Sequence, residues 1–142
     1  MDKVLVSCAN RYIKGILFRI LVEAGLDVSD AADEEDIRFK VGLFGSSIVL
    51  FIAEVTEQNR ERLYAEIRRL SESKAPVRGT VLALVPNETA EMVGGALKAG
   101  IDDVILLPQN RERYRTVLVE RLPAVIEKGR IRLYGAPDPV EA

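Results

Sequence analysis

Histidine and tryptophan are absent from this sequence of 142 residues, and cysteine occurs once, as Cys8. One cysteine cannot close an internal disulfide, and with no histidine beside it the usual zinc and copper sites are excluded. A hard cation held by carboxylates stays open on composition alone. No stretch approaches the roughly 18 uninterrupted apolar residues of a membrane span. The N-terminus, Met-Asp-Lys, passes directly into an apolar run rather than a secretion signal, so a cytoplasmic protein is expected. Charge of one sign is lacking as well. Lys and Arg number 20 against 22 Asp and Glu, a formal charge of -2, which gives no broad electrostatic reason to bind nucleic acid or anionic lipid. No glycine-rich phosphate loop, internal repeat or low-complexity tract is present.

What is there is a globular composition, 48% apolar and 30% charged, in a chain long enough for one domain and short for two. Lys3 to Asn10, KVLVSCAN, is an apolar run with little alternation, as expected of a strand covered on both faces, followed by a polar corner. Asn10 is a candidate N-cap for a helix from Arg11 to Ala24. Its apolar residues Ile13, Ile16, Leu17, Ile20 and Leu21 recur at three- and four-residue spacing, and Gly25 is its stop. Leu26 to Ala31 reads as a weak edge strand. Asp33, Glu34, Glu35 and Asp36 read as the acidic first turn of a second helix, with Ile37, Val41 and Phe44 inward and Gly45 at the end.

Ser47 to Val55, SIVLFIAEV, is the strongest strand and is predicted at the sheet centre. The helix Arg60 to Ser73 buries Leu63, Ile67 and Leu70 and exposes Glu61, Glu66, Arg68 and Arg69; a loop to Gly79 and a strand Thr80 to Val85 follow. A fourth helix starts at Asn87 and Glu88, turns Met92, Val93, Ala96 and Leu97 inward and stops at Gly100. Gly94 and Gly95 cost it about 1 kcal/mol each, so it is predicted to be short, mobile or closely approached. Val104 to Leu107 is a last strand. A final helix through Tyr114, Val117, Leu118 and Leu122 is predicted to kink or restart at Pro123 and to end at Gly129, with Arg130 to Tyr134 extended. Residues 1–128 therefore read as the domain and 129–142 as a tail or linker.

Five short strands alternating with five helices imply parallel strands joined by right-handed crossovers. The simplest arrangement is a flavodoxin-like, doubly wound five-stranded parallel sheet of order 2-1-3-4-5 with helices on both faces. Its ligand crevice lies at the carboxyl ends of strands 1 and 3, where Cys8, Ala9, Ala53 and Glu54 should stand.

Over residues 3 to 128 the sequence resembles a response-regulator receiver domain of two-component signalling. KVLVSCANRYIKGILFRILVEAGLDV is similar to the family's first strand, helix and glycine turn. ALKAGIDDVILLP resembles its fourth helix, alanine-glycine turn, fifth strand and proline, and IVLFIAEV with EIRRL fits its third strand and helix. The resemblance implies an aspartyl phosphorylation site: an acceptor aspartate after strand 3, an acidic magnesium-binding pair after strand 1, a hydroxyl after strand 4 and a lysine after strand 5. Those positions fall on Cys8 and Ala9 for the pair, Ala53 or Glu54 for the acceptor, Val85 for the hydroxyl and Leu107 for the lysine, with the aromatic switch position at Val104. Magnesium needs several oxygen ligands and phosphoryl transfer needs its charge neutralised. The resemblance therefore implies a degenerate receiver with no metal, no cofactor and no enzymatic activity. Glu54 reads either as a fixed charge in the acceptor position or as a strand-end carboxylate facing water.

Such a module acts through protein contacts, with an output domain or as a homodimer. The resemblance puts its working face on helix 4, strand 5 and helix 5, which carry Lys98, Asp102, Asp103, Val104, Arg113 and Arg115. No nucleic-acid or membrane partner is expected. A competing reading makes Cys8 the nucleophile of a phosphotransfer enzyme, as in phosphocysteine subunits of sugar phosphotransferase systems, which are similar in placing a cysteine after the first strand. The bulky loop ANRYIKG lacks the small-residue cradle of that site.

Overall fold

The computed structural model describes residues 2–74, 76–86 and 93–135. The start predicted for the fourth helix at Asn87 and Glu88, and its residue Met92, lie outside the described residues, as does the chain end from 136 to 142. The elements run β1 (Lys3–Ser7), α1 (Arg11–Glu23), β2 (Asp27–Asp30), α2 (Glu34–Phe44), β3 (Ile48–Glu54), α3 (Arg60–Ser71), β4 (Thr80–Pro86), α4 (Ala96–Ala99), β5 (Asp103–Leu107) and α5 (Tyr114–Tyr134). The five strands form one parallel sheet of order β2-β1-β3-β4-β5, the predicted order. Helices cover both faces.

Local signals explain most boundaries. The Asn10 side chain accepts from the amides of Tyr12 and Ile13 at the start of α1, and the chain leaves that helix through Gly25 at φ +81°. The Asp33 carboxylate accepts from the Asp36 amide at 2.8 Å and caps α2. Gly45 does not stop α2 through a left-handed turn; its φ is -50° and the chain continues in a 3-10 turn, Gly45–Ser47, straight into β3. All seven residues of β3 are buried. Alternate residues of the central strands feed two cores. Val4, Val6, Ile52 and Leu84 pack against Leu17 and Leu21 of α1 and Leu118 and Leu122 of α5. Leu5, Phe51, Ala53 and Val85 pack against Ile37 and Val41 of α2 and Leu63 and Ile67 of α3.

Several expectations are corrected. Glu66 is buried, 5% exposed, because it lies between α2 and α3 and takes hydrogen bonds from Arg38 (2.7 Å) and Arg69 (2.6 Å). Leu97 is 79% exposed, since α4 is a single four-residue turn whose inward positions are Ala96 and Ala99. That turn is closed by Gly100 at φ +100°, and Gly95 packs beside the Tyr64 ring, so the helix is both short and closely approached. The last helix neither breaks at Pro123 nor ends at Gly129. Pro123 stands on the exposed side, where solvent can hydrate the carbonyl that its missing N–H leaves. The true stop is Gly135, at φ +88°.

Gly129 has a different purpose. A Cβ there would lie 2.0 Å from the Val49 carbonyl oxygen, so only glycine lets α5 press on the backbone of β3. Residues 130 to 134 are thus helical and attached to the body. Arg130 pairs with Asp2 at 2.8 Å and the Tyr134 hydroxyl donates to Asp2 at 2.6 Å, so the ordered domain passes the boundary read at residue 128.

Two outcomes are expected. Gly129→Ala should destabilise by about 1–3 kcal/mol through overpacking, whereas Gly15→Ala, where a Cβ meets open space in mid-helix, should stabilise by roughly 0.5–1 kcal/mol in urea titrations. Burial raises the Glu66 pKa, but the hydrogen bonds and charges of Arg38 and Arg69 outweigh it and leave the carboxyl below its ordinary value. A depressed folded pKa means that the stabilisation is present above the unfolded value and is lost as pH falls through the folded one. Glu66→Gln should therefore be less stable than the parent at pH 7, with the gap narrowing on acidification below pH 4.5.

Candidate functional site

Parallel strands place their carboxyl ends together, so the corner after β1 and the corner after β3 meet. Ser7 pairs with Ala53 and Ala53 with Ala83, which sets Cys8 beside Glu54 one residue further on. The pleat then separates the two candidates for the acceptor position. Ala53 points into the core beneath α2 and α3, whereas Glu54, one residue on, turns its side chain to the α1 side.

Glu54 does not face water. It is 6% exposed, and its Oε1 accepts from the backbone amides of Ala9 (3.1 Å) and Asn10 (3.3 Å), with the Cys8 thiol at 3.7 Å. Those amides belong to the turn that leads into α1, where positive partial charge collects. The carboxylate is thus an internal strut between two corners. Behind it the corner after β3 is closed by side chains: Asn59 donates to the Glu54 carbonyl at 2.9 Å and accepts from the Thr56 amide at 2.8 Å.

The remaining positions offer no polar chemistry. Val85 and Leu107 are fully buried, Val85 in the core beneath α2 and α3 and Leu107 against the α1 and α5 side. Ala9 is exposed but carries no ligand atom. Among the described residues no three His, Cys, Asp or Glu side chains gather as a metal site would need. The Cys8 thiol is buried and donates to the Asn10 carbonyl at 3.5 Å. Burial first, and then the Glu54 charge, push it up from 9.0 to about 12, which argues against a thiolate nucleophile. Beside this strut lies a depression of about 190 Å³ flanked by Ser7, Ala9, Asp33, Asn59 and Arg62.

The face of α4, β5 and α5 is more varied than its sequence implies. Lys98 and Arg113 are exposed. Asp102 is held internally: its carboxylate accepts from the Val81 amide at 2.8 Å and from Arg132 at 2.7 Å. Asp103 hydrogen-bonds to the Val104 amide, and Val104 is half-buried against the core beneath α2 and α3. Arg115 stands beside α1, lining a groove with Arg11 and Arg19. Two apolar side chains on this face, Leu97 and Leu106, are 79% and 43% exposed. Sequence reasoning missed both, because each sits in an apolar run whose period points it inward; only the outward side of an edge strand and the shortness of α4 turn them to solvent.

No protein-family model matches the sequence, and a search of the curated proteins finds no match. Solved structures do match. A response regulator of red-light signalling from R. palustris aligns over 98% of this chain and 99% of its own, at 18% identity and a TM-score of 0.66. A CheY-like protein from Pseudomonas aeruginosa aligns over 98% and 97%, at 17% identity and 0.65. A response regulator from Thermotoga maritima aligns over 89% and 98%, at 22% identity and 0.70. At these identities the likeness establishes the fold: the chain has the architecture of a receiver domain, in the predicted strand order.

The raised thiol pKa leaves roughly a thousandfold less thiolate at neutral pH than an ordinary cysteine has. Native protein should therefore react with a disulfide reagent at pH 8 far more slowly than protein unfolded in guanidinium; equal rates would show Cys8 to be accessible and activated.

Proposed function

We propose that this chain is a receiver-like domain that works without aspartyl phosphorylation, as a protein-interaction module in bacterial signal transduction or transcription regulation. The observation that carries the reading is the state of Glu54. The Glu54 carboxylate is occupied by the amides of Ala9 and Asn10, with Cys8 and Ala9 in place of an acidic pair after β1 and with Val85 and Leu107 in place of a hydroxyl and a lysine. An in-line transfer needs a metal or fixed cations around the phosphoryl oxygens, and among the described residues no cluster of acidic ligands and no lysine at position 107 is there to supply them. Glu54 acts instead as a hydrogen-bonded tie between the corners of β1 and β3, so the domain holds one state and is read by contact rather than switched by chemistry.

The working face in this proposal is α4, β5 and α5, where Leu97 and Leu106 supply apolar contact and Lys98 and Arg113 supply exposed charge. Apolar groups rimmed by charge suit a twofold contact between copies or the docking of an output domain.

Incubation with Mg²⁺ and a small acyl phosphate, followed by intact mass measurement, should leave the mass unchanged; an acid-labile phosphoryl adduct would overturn the reading. Light scattering on the parent chain should show a dimer that Leu106→Arg dissociates. A strict monomer at high concentration would remove the twofold contact and leave the output-domain role.

A further inference from the structure

We infer that the end of the sheet opposite the crevice holds a binding site for a small amphiphilic anion, a carboxylate carried on an apolar chain or ring. The site is separate from the corners after β1 and β3, and it does not rest on the interaction role proposed above.

The inference starts from how little helix covers this end of the sheet. Each crossover helix runs back toward the amino ends of the strands, so α3 arrives there with its last turn, Leu70 and Ser71. Beyond Ser71 the described residues form no helix or strand until β4 opens at Thr80, and α4 is a single turn. Phe51 of β3 and Val81 of β4 are register partners on the α2 and α3 face. With Ile67 and Leu70 of α3 and Val77 of the connection they line a cavity of about 500 Å³. Protein interiors seldom leave a void much larger than a water molecule. A cavity of this size is instead in the range of small-molecule sites, about 300–1,000 Å³.

The two sides of the cavity are anchored through the backbone. Gly79 presses on β3, where a Cβ would lie 2.1 Å from the Val49 carbonyl oxygen, and this fixes the connection at the point where it enters β4. Across from it, the Asp102 amide donates to the Val81 carbonyl and the Val81 amide donates to the Asp102 carboxylate, both at 2.8 Å. Those bonds tie the turn after α4 to the start of β4. Gly100 in that turn, at φ +100°, packs on the end of α3, and a Cβ there would stand 3.1 Å from the Ser71 Cβ. The cavity is thus shaped by backbone contacts and meets a ligand already organised.

The charged groups at its edge decide the sign of that ligand. Arg78 is exposed and, among the described residues, makes no ion pair or hydrogen bond. Arg132 is engaged through Nη1 alone, which donates to Asp102 at 2.7 Å and to the Gly79 carbonyl at 3.4 Å. Its Nη2 and Nε keep their protons for another acceptor. Asp102 is the one carboxylate among the described lining residues, and Arg132 with the Val81 amide already answers it. The uncompensated charge is therefore positive and lies beside an apolar lining. A carboxylate head can take paired N–H donors from a guanidinium while its hydrocarbon body covers Phe51, Ile67 and Leu70. A nucleic-acid backbone would satisfy the arginines and leave that lining uncovered.

The test uses the full chain and decanoate below its micelle concentration. Amide shifts should saturate on titration and centre on residues 67–71, 77–81 and 100–102. Decylamine, of opposite charge, and decanol, of none, should bind at least about tenfold more weakly. Arg78→Glu should weaken decanoate binding about tenfold or more at an unchanged melting temperature, since Arg78 holds no contact within the fold. Val77→Trp, which fills the cavity from the connection, should abolish binding; if it also lowers the melting temperature, Arg78→Glu decides alone. No binding of decanoate, equal binding of decanol or decylamine, full binding by Arg78→Glu, or shifts centred elsewhere would each overturn the inference. So would binding to phosphatidylglycerol vesicles without binding of soluble decanoate, which would assign the arginines to a lipid surface instead.

Discussion

A strand with neighbours on both edges and helices on both faces has no side that water can reach. β3 is that strand here, and its residues Ile48 to Glu54 are all buried. The two cores grow outward from its alternate side chains, so the positions of α1 and α5 on one face and of α2 and α3 on the other follow from this single stripe. The constraint also explains Glu54. A carboxylate closing such a strand must find donors nearby or destabilise the fold. It finds them in the amides that open α1. In a sheet of this order the carboxyl ends of the first and third strands are where chemistry is usually placed. Here the same meeting point is closed by an internal hydrogen-bond network.

Much of the architecture was legible because its signals are local and strong. SIVLFIAEV is too apolar to lie anywhere but the centre of a sheet, Asn10 announces its helix by capping chemistry that depends on adjacent residues alone, and the acidic run from Asp33 marks the start of the next. What could not be read depends on contacts across the sequence. Glu66 has the spacing of an exposed helix position and is buried only because Arg38, 28 residues away, comes to it. Gly129 reads as a helix stop, since nothing in its neighbours tells that the Val49 carbonyl will lie against it. At the crevice, the loss of polar side chains at Cys8, Ala9, Val85 and Leu107 was plain from the residues. The strut made by Glu54 was not, because strand-end carboxylates more often face water.

The proposed contact face and helix α1 differ in kind. The face of α4, β5 and α5 presents Leu97 and Leu106 on elements that are short or at the sheet edge. Helix α1 has 13 residues, is capped by Asn10, and its inner side is locked by Ile13, Leu17 and Leu21.

The close approach of Gly129 to Val49 bears on how α5 could carry a signal. Gly79 meets the same carbonyl oxygen from the preceding connection, at 2.1 Å for a built Cβ, so one backbone atom of the central strand is hemmed in from two directions. With Arg130 and Tyr134 tied to Asp2, the far half of α5 is a clamped beam. Its near half, from Tyr114 to Leu122, is held as well, because Leu118 and Leu122 are fully buried in the core shared with α1. A load placed on α5 therefore bears on the central strand as well as on the helix, since the two are in backbone contact at Gly129.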